Sequence, residues 1–227
     1  FTIPGENTVR QVEVRPAQVE PSPNAPSPVR PGSKFVLTGT GFAGDQTELM
    51  VAHPRWPQPF AVDPAEWNVE LIGDNQLVAF VRESVALTAV MLPGIYAAQV
   101  RVTRRRVLPN GSTRDFLHIS NQFPFTVIPR IDTIAGPAGG IVTVTAFKFR
   151  HIDASGKDLL ENAIQIYIGE KRILPDKGNG FIAGEYRISA DNEIEIHLPS
   201  GLVSAQELPL RIIVFGAESP PNWITIP

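Results

Sequence analysis

Apolar and polar residues alternate with a period of two along most of this chain, the spacing of strands with one buried face. Lys34 to Phe42 (KFVLTGTGF) is the first clear case, with Phe35 and Leu37 on one side and Gly39 and Gly41 marking a bulge or bend. Val9, Val12 and Val14 predict an earlier strand that breaks at Arg15-Pro16. Thr47 to Ala52, Gln76 to Val81 and Ile95 to Arg104 predict further strands, separated by a proline-bearing loop at 53–64, a turn at Gly73-Asp74-Asn75 and a turn at Leu92-Pro93-Gly94. Residues 82–91 show no clean alternation and read as helical or irregular. Arg105 to Phe116 is centred on Pro109-Asn110-Gly111 and reads as a protruding hairpin loop. Phe123, Phe125 and Val127 alternate with Pro124 and Thr126 to give a closing strand, which Pro129 stops because it has no N–H to donate.

The same grammar then repeats. Gly139 to Phe149 matches Gly32 to Phe42, and Ala163 to Ile168 matches Thr47 to Ala52. The turn 190–192 with Glu193 to Leu198 matches the turn 73–75 and its strand. Leu198-Pro199-Ser200-Gly201 matches Leu92-Pro93-Gly94, and Leu210 to Phe215 matches the strand around Ala98 to Val102. The ending Ser219 to Pro227 (SPPNWITIP) echoes Ser120 to Pro129 (SNQFPFTVIP), and in that alignment Trp223 takes the place of Phe123 as a core cap. Repeated anchors in one order predict a duplicated all-β unit: a lead-in at 1–8, a first sandwich at 9–129 with a proline-rich start at 16–32, and a second at 130–227. Six prolines within 16–32 favour a stiff, extended connector at the start of a sandwich, with a proline-rich ligand as the other reading.

Composition changes this picture little. With 227 residues there is room for two cores, and 22 prolines and 18 glycines suit many turns. The chain has no cysteine, which removes disulfides and thiolate chemistry. A formal net charge of −3 gives no electrostatic footprint for nucleic acid, and no apolar run approaches the ~20 residues that span a bilayer. The start at Phe1 leads us to expect a fragment or a processed product, from which a leader could have been cut.

Each unit resembles a TIG-type (immunoglobulin-like, plexin, transcription factor) sandwich, through its V-x-V-x-A/G-x-x-F strand and its Leu-Pro-Gly turn before the penultimate strand. A narrower resemblance covers Leu92 to Ile131: LPGIYAAQVRV, a variable basic loop, then HISNQFPFTVIPRI. That order is similar to the C-terminal part of the cap, or tail-terminator, proteins of phage-tail-like contractile injection systems. Gln99-Val100, Arg104 to Pro109, Ser120-Asn121, Phe125, Pro129 and Ile131 fill the family's places, and Phe35 to Asp45 fits its preceding strand and turn. The resemblance implies a tandem immunoglobulin-like (TIG/E-set) fold and a non-catalytic structural role. It also implies contacts with tube, sheath or like subunits, and assembly in the cytoplasm into a particle that can be released. In that family an N-terminal domain precedes the sandwiches. Nothing like it stands in these 227 residues, and self-association through such a domain is expected.

Catalytic and metal chemistry is not legible in the sequence. His53, His118, His151 and His197 lie far apart without a second ligand at metal spacing, and no nucleophile elbow, phosphate loop or calcium loop occurs. No cofactor, catalytic residue or metal ligand is expected. The densest charge cluster is Arg104, Arg105 and Arg106 with Arg101 and Arg114 nearby. It reads as a solvated loop, or as a docking loop for an acidic protein partner, since a guanidinium fork suits carboxylates. A nucleic-acid contact is disfavoured because no aromatic platform is interleaved. Trp56, Trp67 and Trp223 would be the material for a carbohydrate platform. The competing reading is therefore a carbohydrate- or surface-binding sandwich pair from a secreted protein, or an accessory domain of an enzyme.

Overall fold

The computed structural model describes residues 8–15, 30–86, 89–178 and 180–226, with side chains from Arg30 onward. The lead-in at 1–7 and most of the proline-rich start, 16–29, lie outside the described residues. The described chain is all-β, with no helix. It divides into two compact units, one ending at Val127 and one beginning at Ile128.

In the first unit the strands run β1 (Thr8–Arg15), β2 (Lys34–Thr40), β3 (Gln46–Ala52), β4 (Phe60–Ala61), β5 (Glu70–Ile72), β6 (Gln76–Phe80), β7 (Ser84–Ala86), β8 (Ala89–Val90), β9 (Gly94–Val107), β10 (Thr113–Ile119) and β11 (Phe123–Val127). One sheet has the order β1-β2-β6-β5. The other has the order β10-β9-β3-β4, with β11 also on β9. Alternate residues from both sheets meet in one core: Phe35 and Leu37 from β2, Leu77 and Ala79 from β6, Leu49 and Val51 from β3, and Tyr96, Ala98, Val100 and Val102 from β9. Each of the larger of these side chains contributes about 1.5–3 kcal/mol on burial, so the alternation read in the sequence becomes the main folding force.

Residues 82–91 correct the helical or irregular reading. β7 and β8 form a short antiparallel pair, Ser84 to Val90 and Ala86 to Ala89. Val85, Ala89 and Met91 are buried, at a spacing that alternation alone does not distinguish from a helical turn. The short strand β4 also lies where the sequence reads as loop, and β5 lies in a stretch to which the sequence reading assigns no element.

The second unit runs β12 (Ile131–Ala138), β13 (Ile141–Ala146), β14 (Ile164–Ile168), β15 (Lys171–Pro175), β16 (Glu185–Ala190), β17 (Glu193–His197), β18 (Glu207–Val214), β19 (Ala217–Glu218) and β20 (Asn222–Thr225). Its order, β12-β13-β17-β16 then β15-β14-β18-β19 with β20 also on β18, is that of the first unit's two main sheets, and the β7–β8 pair has no counterpart among the described residues. The difference is a short parallel pairing of Leu174 with Glu185 and Pro175 with Tyr186, which joins the two halves into one nine-stranded sheet. Val142, Val144, Ile166, Ile194, Ile196 and Ile212 fill the core.

The equivalence reaches single hydrogen bonds. The Asp74 carbonyl accepts from Phe42 N–H, and the Asp191 carbonyl accepts from Phe149 N–H; both phenylalanines are buried. Ser120 N–H donates to the Val100 carbonyl, and Val100 N–H returns the bond to the Ser120 hydroxyl at 2.9 Å. Ser219 and Ile212 repeat this bracket at 2.8 and 3.0 Å. In each unit a buried hydroxyl thus completes the ladder where the chain leaves one strand and enters the next.

Candidate interaction surface

The largest difference between the units lies at the end of β9. This strand has 14 residues, against 8 in its counterpart β18. Its first part carries β11 and its middle carries β3, whose pairing stops at Thr103. β10 pairs with β9 in seven consecutive pairs from Arg101–Ile119 to Val107–Thr113 without a bulge, and beyond Thr103 the last four of these continue with β10 alone. The second unit instead turns back at once through Phe215 and Gly216, both at positive φ, and closes Val214 on Ala217.

The tip is a three-residue loop. Gly111 N–H donates to the Leu108 carbonyl at 2.9 Å and Leu108 N–H to the Ser112 carbonyl at 2.7 Å. Proline at 109 suits the second position of a type I turn, and Gly111 takes the left-handed conformation that follows it, φ 80°. Asn110 keeps a negative φ and uses its side-chain oxygen to accept from the Ser112 N–H and hydroxyl. The Asn-Gly pair therefore ends the hairpin by a route different from the two-residue turn it usually favours.

The base of the ribbon is tied to the turn at 41–45. Asp45 N–H donates to the Thr103 carbonyl, and the Asp45 carboxylate accepts from Arg105 N–H just where β3 gives out. The Arg104 guanidinium lies across the turn and donates to the carbonyls of Gly41 (2.8 Å) and Ala43 (3.2 Å). Gly44 has no room for a side chain: a Cβ there would sit 2.7 Å from the Thr103 carbonyl oxygen and would overlap Val102 Cγ1. The ribbon is thus held at its root and extends past it.

The five arginines read as one docking loop lie on the two strands of this ribbon, and alternation splits them between its faces. Arg101 and Arg105 share the face of Leu117 and Ile119, whereas Arg104, Arg106 and Arg114 share the opposite face with Phe116. Three of the five are committed. Arg101 Nε donates to Glu48 Oε2 at 2.6 Å, a bond that holds the Arg101 pKa above its ordinary value. Arg105 forms a two-pronged pair with Asp115 (2.8 and 3.3 Å), which lowers the Asp115 pKa. Arg104 is taken by the turn. Arg106 and Arg114 stand directly opposite each other near the tip. Arg114 lies over the Phe116 ring at 5.7 Å, and Arg106 has no hydrogen-bond partner among the described residues. The positive charge open to a partner is therefore this pair.

Beside it lies exposed apolar surface. Leu117 is 58% and Ile119 57% exposed on one face, with Phe116 on the other. Exposed apolar residues scattered singly are ordinary, whereas Leu117 and Ile119 are neighbours on one face of the ribbon.

Comparison with known proteins leaves this surface without a ready-made reading. No protein-family model matches the chain, and no curated protein matches it. Among solved structures it is similar to the surface glycan-binding protein PbSGBP-B from Prevotella bryantii, at 13% identity and a TM-score of 0.34 over 95% of this chain and 41% of that one. It is also similar to SGBP-B from a complex xyloglucan utilization locus in Bacteroides uniformis, at 14% identity and a TM-score of 0.29 over 95% of this chain and 49% of that one. Domains 5–6 of the S-layer protein SbsC match at 12% identity and a TM-score of 0.26, covering 97% of this chain and 98% of that one. The chain spans less than half the length of the two glycan-binding proteins. Likenesses at this level leave the reading to the residues.

Other sequence candidates disperse. Among the described residues, no three His, Asp or Glu side chains gather as a metal site would require. His53 is buried against Trp56 and Tyr96, and its Nδ1 accepts from Arg55 N–H and Arg55 Nε. Burial, with Arg55 beside it, lowers its pKa from 6.5 to about 4, so at neutral pH it is an uncharged acceptor. His118 is on β10, and His197 Nδ1 lies 3.0 Å from the Phe181 carbonyl oxygen. Trp67 is fully buried with its Nε1–H on the Ser84 carbonyl, and Trp56 packs edge-on against Phe60. Trp223 departs from the core-capping role: it is 65% exposed on β20. Pairing places Phe123 against Ala98 and Asn222 against Leu210, so Trp223 is the counterpart of outward-facing Pro124. Trp223 stands four residues after Ser219, whereas Phe123 stands three after Ser120, and in a strand that offset of one exchanges the faces. An open hollow of about 360 Å³ in the second unit is walled by Arg150, Arg172 and Arg187 alternating with Asp158, Glu161 and Asp176. Arg187 there is already paired with Glu195 and stacked over Phe181.

Proposed function

We propose that this chain is a non-catalytic protein-interaction module, built of two tandem immunoglobulin-like sandwiches of the TIG type and belonging to the cap of a phage-tail-like contractile particle assembled in the cytoplasm. The immunoglobulin-like assignment is supported by the strand order, in which β1-β2-β6-β5 faces β4-β3-β9-β11 as A-B-E-D faces C′-C-F-G, and by its repetition in the second unit. The particle setting draws support from the resemblance at Leu92 to Ile131. The observation that carries the interaction reading is the β9–β10 ribbon, rooted on the turn at 41–45 and presenting Phe116, Leu117, Ile119, Arg106 and Arg114 to solvent. Its partner is a neighbouring protein subunit with an acidic patch, not nucleic acid or a membrane. Reversing Arg106→Glu together with Arg114→Glu spares the committed arginines and the fold. Co-purification of a protein partner with the full-length chain should fall, and the loss should be largest at low salt, because charges in solvent are screened over about 8–10 Å. Partner recovery unchanged at low and high salt would refute the role.

One observation favours the alternative, a carbohydrate- or surface-binding pair: Trp223 stands exposed on β20 opposite Pro209, a flat apolar patch on a sheet face. Titration of soluble polysaccharides against the chain and Trp223→Ala decides it; no heat or shift with either protein removes it.

A further inference from the structure

We propose that β10 is a docking edge that adds one extended strand of a partner protein, antiparallel to itself, by main-chain hydrogen bonding. This rests on the interaction reading above and specifies its mode. The bonds from Ser120 N–H to the Val100 carbonyl and from Leu108 N–H to the Ser112 carbonyl fix the phase of the ladder. Even-numbered residues of β10 turn their backbone groups toward β9, so Thr113, Asp115, Leu117 and Ile119 turn theirs outward. β10 is the last strand of its sheet, and among the described residues no further strand lies beyond it.

Edges of this kind are normally blunted by shortness, proline or a bulge. The counterpart β19 has two residues, and β4, at the other end of the β10 sheet, also has two. β12, an edge of the second unit, carries Pro137 and two register shifts. β10 has seven residues, no proline and an unbroken register. An outward row of four N–H and four C=O groups beside exposed Leu117 and Ile119 is a template for strand addition.

Charge selects the occupant. Between residues 101 and 119 stand five arginines and a single aspartate, Asp115. A second copy of the ribbon would bring like charges together, whereas an acidic strand complements them. The added strand carries apolar residues opposite Ile119 and Leu117, at positions one and three, and an acid opposite Arg114 at position six.

The probe is a synthetic nine-residue peptide of that pattern, and a second peptide N-methylated at the amides that face β10. Binding of both to the full chain is followed by fluorescence anisotropy, with amide exchange read by NMR. The unmodified peptide should bind at concentrations below about 1 mM, and N-methylation should weaken it about tenfold or more. The Thr113, Asp115, Leu117 and Ile119 amides should exchange fast in the free chain and slow on binding. Leu117→Pro should abolish binding while Trp67 fluorescence reports an intact core, because the lost N–H points away from β9. Absence of binding, equal binding of the N-methylated peptide, slow exchange of these amides in the free chain, or self-association through β10 would each overturn the proposal. If co-purification depends on Arg106 and Arg114 yet Leu117→Pro leaves it intact, strand addition fails and the interaction reading stands. If neither substitution matters, both fail.

Discussion

Ser120→Ala removes one oxygen and leaves the rest of the first unit untouched. The Ser120 hydroxyl is buried, accepts from Val100 N–H at 2.9 Å and donates to the Asn121 carbonyl at 2.8 Å. Val100 is wholly buried on β9, so its N–H has no water to turn to. An orphaned buried donor costs about 1–3 kcal/mol. The loss of the second bond adds little, because the Asn121 carbonyl is near solvent. For a unit of this size that cost corresponds to a fall in melting temperature of about 4–12 °C. Trp67, buried in the first unit's core, provides a fluorescence signal for unfolding of that unit. Ser219→Ala should do the same to the second unit through Ile212 N–H, bonded at 3.0 Å. Denaturant titration by circular dichroism should show each substitution acting on its own transition. Shifts below about 0.5 kcal/mol for both variants would refute the claim that the hydroxyl bracket completes the ladder.

Further outcomes follow from the same structure. Stability of the first unit should depend on pH through His53. Its folded pKa, about 4, lies below the unfolded 6.5, so the unfolded chain takes up the proton first. Stability is complete above pH 6.5, falls by up to about 3 kcal/mol as pH drops toward 4, and levels off below it. His53→Gln should flatten that slope in unfolding curves at pH 7.5, 5.5 and 4. Trp223→Ala should change thermal stability by less than about 0.5 kcal/mol, whereas Trp67→Ala should cost about 3–5 kcal/mol, and a calorimeter separates the two. Gly44→Ala should loosen the root of the ribbon, since its Cβ would overlap the Thr103 carbonyl; faster amide exchange at Asp45 and Arg105 would report it.

Much of the fold was legible because alternation is the direct signature of a half-buried strand. Phe35 and Leu37, Phe125 and Val127, and Ile194 and Ile196 are core residues where the period places them. The anchors at Phe42 and Phe149 and at Asp74 and Asp191 align in space as they do in sequence, whereas Leu198 takes the place of Val81 and not of Leu92: Leu198 N–H donates to the Gly140 carbonyl as Val81 N–H does to that of Ser33. Short strands were lost for want of length: two or three residues, as in β4, β5 and β7, carry no period. Trp223 was misplaced by one position, standing four residues after its serine where Phe123 stands three, an offset that sequence similarity absorbs but a pleated strand does not. The arginine cluster was visible as composition, but treating it as loop hid its geometry. Taken as strand, the same residues fall alternately on two faces, and the acids that neutralise Arg101 and Arg105 come from Glu48 far away and Asp115 across the turn.

The central claim, that the ribbon is the contact surface of a binding module, is tested most directly by removing its outer part, with Arg106 and Arg114, in the manner of the second unit. Replacing residues 105–115 by Asn-Gly closes Arg104 on Phe116 through a two-residue turn, the geometry by which Val214 closes on Ala217. Quantitative recovery of the protein partner with the full-length chain is then compared with that of the untrimmed chain. Complete loss of the partner, with Trp67 fluorescence and the melting temperature of the first unit retained, is the predicted result. Undiminished recovery with the trimmed ribbon would contradict it.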